Sequence, residues 1–247
     1  MDPALMRIAI IPGLIIIIYI YSKDKVEKEP LGLILKLIIY GAISGFLAGY
    51  AEQFASYYLP TYPQNSFEYA VSTAFLLAAF WEELLKFLLL RLGSWRHPSF
   101  NYRFDGIVYG VSVAVGFAVL ENIMYVSMYG MQTAIVRAFT AVPLHAFCGA
   151  VMGIIYSYSK KASIDGNKGA SLVYTLLAWL VPLAIHGIYD TFAMMRTNTA
   201  SIALIVFIVF LYIYIIKMIK KMSAEDREAG FYRRNIDTNR NGIDNIL

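Results

Sequence analysis

Apolar residues along this chain come in long blocks, unlike the short periodic patterns of soluble helices and strands. Seven blocks have about the length that a helix needs to cross a hydrocarbon core of roughly 30 Å. They span residues 4–22, 31–51, 68–91, 104–128, 134–158, 171–195 and 198–218. The pattern therefore predicts an all-α, polytopic helix bundle of about seven transmembrane helices, located in the cell membrane.

The composition excludes a soluble single-domain protein. Of the 247 residues, 59% are hydrophobic and only 15% are charged, whereas charged residues make up about 25% of an ordinary soluble domain. The net charge is +4. Because the basic residues lie mainly in short loops between apolar blocks, they indicate membrane topology and not nucleic-acid binding.

Lysine and arginine concentrate in alternate loops. The connections after the first, third and fifth blocks carry them, whereas those after the second and fourth blocks nearly lack them. The residues are Lys23, Lys25, Lys28, Arg91, Arg96, Arg103, Lys160, Lys161 and Lys168. By the positive-inside rule, the N-terminus is expected outside and the C-terminus in the cytoplasm. Residues 1–221 would form the membrane domain, and residues 222–247 a polar, basic cytoplasmic tail.

Ionisable side chains inside four of the blocks point to a functional site, because each costs about 3 kcal/mol at the bilayer centre. They are Glu82, Glu83 and Lys86 in the third block, Glu121 in the fourth, His145 in the fifth, and His186 and Asp190 in the sixth. With a helical rise of about 1.5 Å per residue, the three glutamates and the two histidines lie roughly 12–22 Å below the predicted outer surface. One shared polar layer is therefore expected.

Purely structural interpretations of these residues stay open. Glu82 and Lys86 are four residues apart and can form an ion pair within one helix. A lone intramembrane histidine can serve only as a hydrogen bond between helices. His186 and Asp190, however, share a helix face, where the carboxylate can fix the imidazole tautomer. Glu82 and Glu83 project about 100° apart on a helix, so we expect one of them to contact the reacting groups and the other to support it.

This combination of residues fits hydrolysis of a peptide bond. A buried carboxylate can activate water as a general base, and imidazoles opposite it can stabilise an oxyanion or protonate the leaving amine. The H-E-x-x-H pattern of helical zinc proteases is absent, and Ser44 and Cys148 lack the context of an activated nucleophile. A proton-coupled transporter or carrier is the alternative, since carboxylates and histidines also relay protons through membranes.

Four motifs resemble a known family. Glu82 to Lys86 form E-E-x-x-K, and residues 104–122 contain F-D-G-I-x-Y-G followed by G-F-A-x-x-E-N. Arg137 and His145 form R-x7-H, and residues 186–190 form H-x3-D. In this order, each on its own predicted span and all within residues 80–192, they resemble the PrsW family of intramembrane proteases, which is related to the CAAX prenyl endopeptidases.

The resemblance implies a glutamate-dependent membrane endopeptidase that, in bacteria, makes the site-1 cut in membrane-anchored anti-sigma factors. The implied catalytic residues are Glu82, Glu83, His145 and His186. The implied supporting residues are Lys86, Glu121, Asn122, Arg137 and Asp190. The expected partners are a membrane-anchored protein substrate and the lipid bilayer, with no nucleic acid.

A metal cofactor is left open by the sequence. Carboxylate and imidazole ligands suit zinc, and burying such a group without a cation is costly. The family resemblance is compatible with a metal-free glutamic protease and with a metalloprotease. We take the metal-free mechanism as the first hypothesis and zinc as the second, with Glu83, Glu121, His145 and His186 as the candidate ligands.

Overall fold

The structure is a computed structural model that describes residues 3–195 and 197–226. Within these residues the chain forms helices joined by short connections, without strands. The helices are α1 (Pro3–Lys23), α2 (Leu31–Ser56), α3 (Phe67–Ser72), a π-helix (Thr73–Ala79), α4 (Phe80–Ser94), α5 (Arg103–Phe139), α6 (Ala141–Ile164), α7 (Lys168–Met194) and α8 (Asn198–Glu225). The predicted fold class, a helical membrane bundle, is confirmed.

Five stretches of the described chain are long and apolar enough to cross a membrane. One of them covers 62 residues and contains both α5 and α6. The third predicted span is not one regular helix, because α3, the π-helix and α4 follow one another over residues 67–94. The number of seven spans and the orientation of the bundle stay predictions.

Helix α5 lies at the centre of the bundle. Every residue from 104 to 118 is buried, and α5 packs against α1, α2 and α6. A Cβ atom on Gly153 would lie 1.9 Å from the carbonyl oxygen of Gly106, and one on Gly110 would lie 2.1 Å from that of Gly149. Because only glycine permits these distances, the backbones of α5 and α6 are in direct contact.

The chain reverses direction before α6 by a break within α5. Gly130 has φ 78° and ψ −163°, a conformation that essentially only glycine adopts. Residues 131–139 follow as a short helical segment, and α6 begins at Ala141. The fifth predicted span therefore starts later than the expected residue 134, and Arg137 precedes the helix that carries His145.

Helix α8 extends past the predicted end of the membrane domain at residue 221 and ends at Glu225. The carboxylate of Asp226 then accepts hydrogen bonds from the backbone N–H groups of Arg103 and Phe104, each at 3.0 Å. The end of α8 thus caps the start of α5. Residues 227–247 of the predicted tail lie outside the described residues.

Candidate active site

The acidic pair lies where the π-helix passes into α4. Glu82 and Glu83 are in the first turn of α4, and π-turns often occur at functional sites. Helix α7 approaches this segment closely, since a Cβ atom on Gly187 would lie 2.6 Å from the ring of Phe75 in the π-helix. This contact brings His186, the residue before that glycine, next to the acidic pair.

The ammonium group of Lys86 is the hub of the site. Its Nζ donates hydrogen bonds to Glu83 Oε1 at 2.8 Å and to Glu82 Oε2 at 3.2 Å. It also lies 3.1 Å from His145 Nδ1 and 3.7 Å from the centre of the Phe117 ring. The expected Glu82–Lys86 ion pair is therefore present, but as part of a larger network that reaches other helices.

His186 links the acidic pair to α7. Its Nδ1 lies 2.9 Å from Glu83 Oε1, and its Nε2 lies 3.3 Å from Asp190 Oδ2. Glu83 is fully buried, yet its Oε2 has no hydrogen-bond partner among the described residues. Because a buried carboxylate oxygen without a partner is costly, this atom is suited to bind a further group.

A second chain of polar contacts reaches the site from α1. His145 Nε2 lies 2.8 Å from Glu121 Oε2, which also forms an ion pair of 2.6 Å with Arg137 Nη2. Arg137 Nε donates to Asn122 Oδ1 at 3.1 Å, and Asn122 Nδ2 donates to the carbonyl oxygen of Ala9 at 3.2 Å. The implied supporting residues therefore all lie in the same network as the implied catalytic ones.

Four side chains together could hold a metal ion. Glu82, Glu83, His145 and His186 each offer a ligand atom, and these atoms lie within 4.8 Å of one another. The set differs in one member from the sequence hypothesis, because Glu82 takes the place of Glu121. Glu121 instead pairs with the outer nitrogen of His145 and with Arg137.

The surroundings of both imidazoles also suit a metal. His145 and His186 each turn Nδ1 toward the centre of the site, while Nε2 faces the carboxylate of Glu121 or Asp190. Metal-binding histidines usually have such a partner on the outer nitrogen, which fixes the tautomer. The donor set and its outer partners therefore fit a cation such as zinc.

One carboxylate near the site was not predicted from the sequence. Glu52 of α2 interacts electrostatically with Glu82 and Glu121. The second apolar block ends at residue 51, but α2 continues to Ser56, so Glu52 belongs to the helix and not to the following loop. A search for acidic residues just past the ends of the apolar blocks could have found it.

The other candidate nucleophiles lack an activating base. Cys148 is buried and lies 3.8 Å from the carbonyl oxygen of Pro182. Ser44 donates its hydroxyl hydrogen to the carbonyl oxygen of Gly41 at 2.6 Å. Both contacts are those of side chains packed within helices, so the polar chemistry of the described residues concentrates at the glutamate and histidine centre.

Sequence comparison identifies the family. Residues 29–216 match the family model described as "PrsW family intramembrane metalloprotease". The chain belongs to this family. It is 35% identical over 195 residues to "Protease PrsW" of Bacillus subtilis (strain 168), with 79% of this chain and 85% of that protein covered. It is 32% identical over 210 residues to "Protease PrsW" of Clostridioides difficile (strain 630), with 82% and 84% covered. No solved structure gives a significant match.

Membership of the PrsW family confirms the predicted activity and location. The protein is a multi-pass membrane protease, and the transporter alternative is set aside. The family is described as a metalloprotease family, and the structure contains a group of glutamates and histidines able to hold a metal. These two observations favour a metal site over the metal-free mechanism that we placed first.

Proposed function

We propose that this protein hydrolyses a peptide bond of a membrane-anchored protein substrate at the centre formed by Glu82, Glu83, His145 and His186. The observation that carries the proposal is the convergence of two carboxylates and two imidazoles within 4.8 Å inside an apolar bundle. Ionisable groups are costly at this depth and usually mark a functional site. Family membership supplies the reaction class.

Glu82 is proposed as the base that accepts the proton of the attacking water. Its side chain is 8% exposed, whereas that of Glu83 is fully buried, so water and substrate reach Glu82 more readily. Glu83 binds both Lys86 and His186. Its proposed role is to hold these two groups beside the scissile bond.

In the metal-free form of the centre, its positive groups are proposed to complete the reaction. Both nitrogens of His186 face carboxylates, so the ring can carry a hydrogen on each and donate one to the leaving amine. His145 accepts from Lys86 and is held by Glu121. The Lys86 ammonium, positioned in this way, can stabilise the oxyanion.

As an alternative to this metal-free arrangement, the same centre is proposed to hold a zinc ion in place of the Lys86 hydrogen bonds. The ligands would come from Glu83, His145 and His186, with the imidazoles oriented by the outer carboxylates, which leaves Glu82 free to act as the base. Zinc bound there would supply Lewis-acid polarisation of the scissile carbonyl group and of water. Glu83 Oε2 has no hydrogen-bond partner among the described residues, and a bond to the ion would supply one.

The substrate is proposed to be a single-pass membrane protein of the anti-sigma factor class. The location of the centre within apolar helices supports a membrane-anchored substrate. The narrower proposal of an anti-sigma factor is supported by the family resemblance alone.

Cleavage of single-pass substrates in liposomes tests the proposal. Glu82→Gln and Glu83→Gln, which remove the carboxylates at nearly constant size, are expected to slow cleavage by about 10²- to 10⁴-fold. His186→Ala should be similarly impaired. Glu68→Gln, which changes an exposed acid of α3, is the control and should cleave like the wild type. Full activity of Glu82→Gln, Glu83→Gln and His186→Ala would refute the assignment of the site.

A further inference from the structure

The Lys86 ammonium group lies where a metal ion held by the same donors would lie. Its Nζ is 2.8 Å from Glu83 Oε1, 3.2 Å from Glu82 Oε2 and 3.1 Å from His145 Nδ1. These three residues belong to the group that could hold a metal. Zinc binds carboxylate oxygens and imidazole nitrogens at about 2.0–2.2 Å, so the ion would be surrounded by the same atoms as the ammonium.

The two cations cannot share this position. A neutral imidazole has one lone pair on its unprotonated nitrogen, so His145 Nδ1 either accepts from Lys86 or binds a metal. The distances leave no space for a second cation between Lys86 and the carboxylates, and two positive charges so close in an apolar surrounding repel strongly. We propose that the Lys86 ammonium and a divalent metal ion are alternative occupants of the centre, so that metal binding requires the Lys86 side chain to withdraw.

We expect two carboxylates that would not bind the metal to attract the withdrawn side chain. Glu52 and Glu121 both interact electrostatically with Lys86 and lie outside the group of metal ligands. The Lys86 ammonium already lies over the face of the Phe117 ring, 3.7 Å from its centre. Without metal, Lys86 compensates the negative charge of the acidic pair. With metal, it would move toward the carboxylates at the edge of the centre.

Competition of this kind lowers the apparent metal affinity. If the form with Lys86 withdrawn makes up at most about one tenth of the molecules, the apparent Kd for metal is at least about tenfold higher than the intrinsic one. Lys86 is thus a positioning residue that sets how tightly the centre retains its metal. The inference rests on the proposed metal centre but not on the identity of the substrate.

Zinc binding by purified full-length protein tests the proposal. Zinc affinity is measured by competition with a chelating dye, and stoichiometry by elemental analysis. Lys86→Met, which keeps the length of the side chain and removes its charge, is expected to bind zinc at least about tenfold more tightly than the wild type. Lys36→Met is the matched control, because Lys36 is an exposed lysine that donates to the Gly93 carbonyl oxygen, away from the centre.

Two results would overturn the proposal. One is a Lys86→Met variant that binds zinc no more tightly than the wild type, and the other is the absence of zinc binding from both proteins. Lys86→Gln provides the same comparison if the methionine variant does not fold. Glu83→Gln should weaken zinc binding in either background, which ties the signal to this centre. The zinc measurement uses no substrate, so a negative result does not bear on the proposed proteolysis. The liposome assay tests that proposal separately.

Discussion

The contacts of Glu121 explain why an arginine suits position 137. Arg137 Nη2 lies 2.6 Å from Glu121 Oε2 while Nε donates to Asn122 Oδ1. A planar guanidinium serves both partners at once, whereas an ammonium group offers a single compact charge. Since Glu121 holds the outer nitrogen of His145, Arg137 positions that imidazole from a distance.

Replacing Arg137 should therefore impair the chemical step more than substrate binding. We expect Arg137→Lys to lower kcat by about 10- to 100-fold with KM little changed. A loss of this size is typical when the replaced residue orients a site residue without touching the substrate. Arg137→Met should lower kcat further. Arg91→Lys is a control, because Arg91 stacks on Trp95 at the far end of α4. A wild-type kcat for Arg137→Met would show that Glu121 needs no arginine.

At the level of elements, the apolar blocks predicted the starts of some helices correctly. The start of α2 at residue 31 and of α8 at residue 198 agree with the predicted spans. The predicted end of α2 was early, because the helix continues through the polar residues Glu52 and Gln53. Hydrophobicity reports burial in lipid, and it therefore misses a polar helical turn that continues beyond the apolar run.

Other features of the fold leave no simple pattern in the sequence. A π-turn depends on how its neighbours pack, so the third block gave no sign of the π-helix. The site residues were predictable because charge inside an apolar block is conspicuous. The contact between Lys86 and His145, 59 residues apart, depends on the packing of separate helices, which residue spacing does not specify.

The glycine contact between α5 and α6 gives a prediction for helix packing. Gly153→Ala would place a Cβ atom 1.9 Å from the Gly106 carbonyl oxygen, so α6 must shift. We expect a loss of about 1–3 kcal/mol in the free energy of unfolding and slower cleavage, because α6 carries His145. Thermal unfolding in detergent measures the first effect. Gly49→Ala, where a Cβ atom meets nothing within 4 Å, is the matched control. Equal stability of the two variants would contradict the close contact.

At the scale of the whole molecule, the basic loops lie together at one end of the bundle. Asn101 Nδ2 donates to Glu27 Oε2 at 3.1 Å, which joins the loop after α4 to the loop after α1. Lys160 Nζ donates to the carbonyl oxygen of Trp95 at 2.7 Å, which joins the end of α6 to the same region. We call this region the basic end, and the positive-inside rule predicts that it faces the cytoplasm.

Cysteine labelling of intact cells tests this orientation. Asn65→Cys, in the exposed connection at the opposite end, should react with an impermeant maleimide from outside. Ser163→Cys, exposed at the basic end, should react only after the membrane is permeabilised. The native Cys148 is fully buried and should contribute little background. The reverse labelling pattern would mean that the bundle is inserted the other way.

Buried acids tie helices together at the basic end. Asp226 accepts hydrogen bonds from the start of α5, as described above, and Tyr109 of α5 donates to Glu29 Oε2 in the connection before α2. The other carboxylate oxygen of Glu29 has no hydrogen-bond partner among the described residues. These carboxyl groups are buried beside other acids, which makes their ionised forms unfavourable in the folded protein.

Stability should consequently fall as the pH rises. Burial raises the pKa of Asp24 from 3.8 to about 6 and that of Glu29 from 4.5 to about 7, and it also raises the pKa of Asp226. The folded state holds protons that the unfolded state releases, so this stabilisation is complete below the unfolded pKa values and is lost as the pH passes through the folded ones. We expect a higher unfolding temperature at about pH 5.5 than at about pH 8. Glu29→Gln should flatten this dependence, whereas Glu68→Gln, at an exposed position of α3, should leave it unchanged. An unfolding temperature that increases over this range would contradict the assignment.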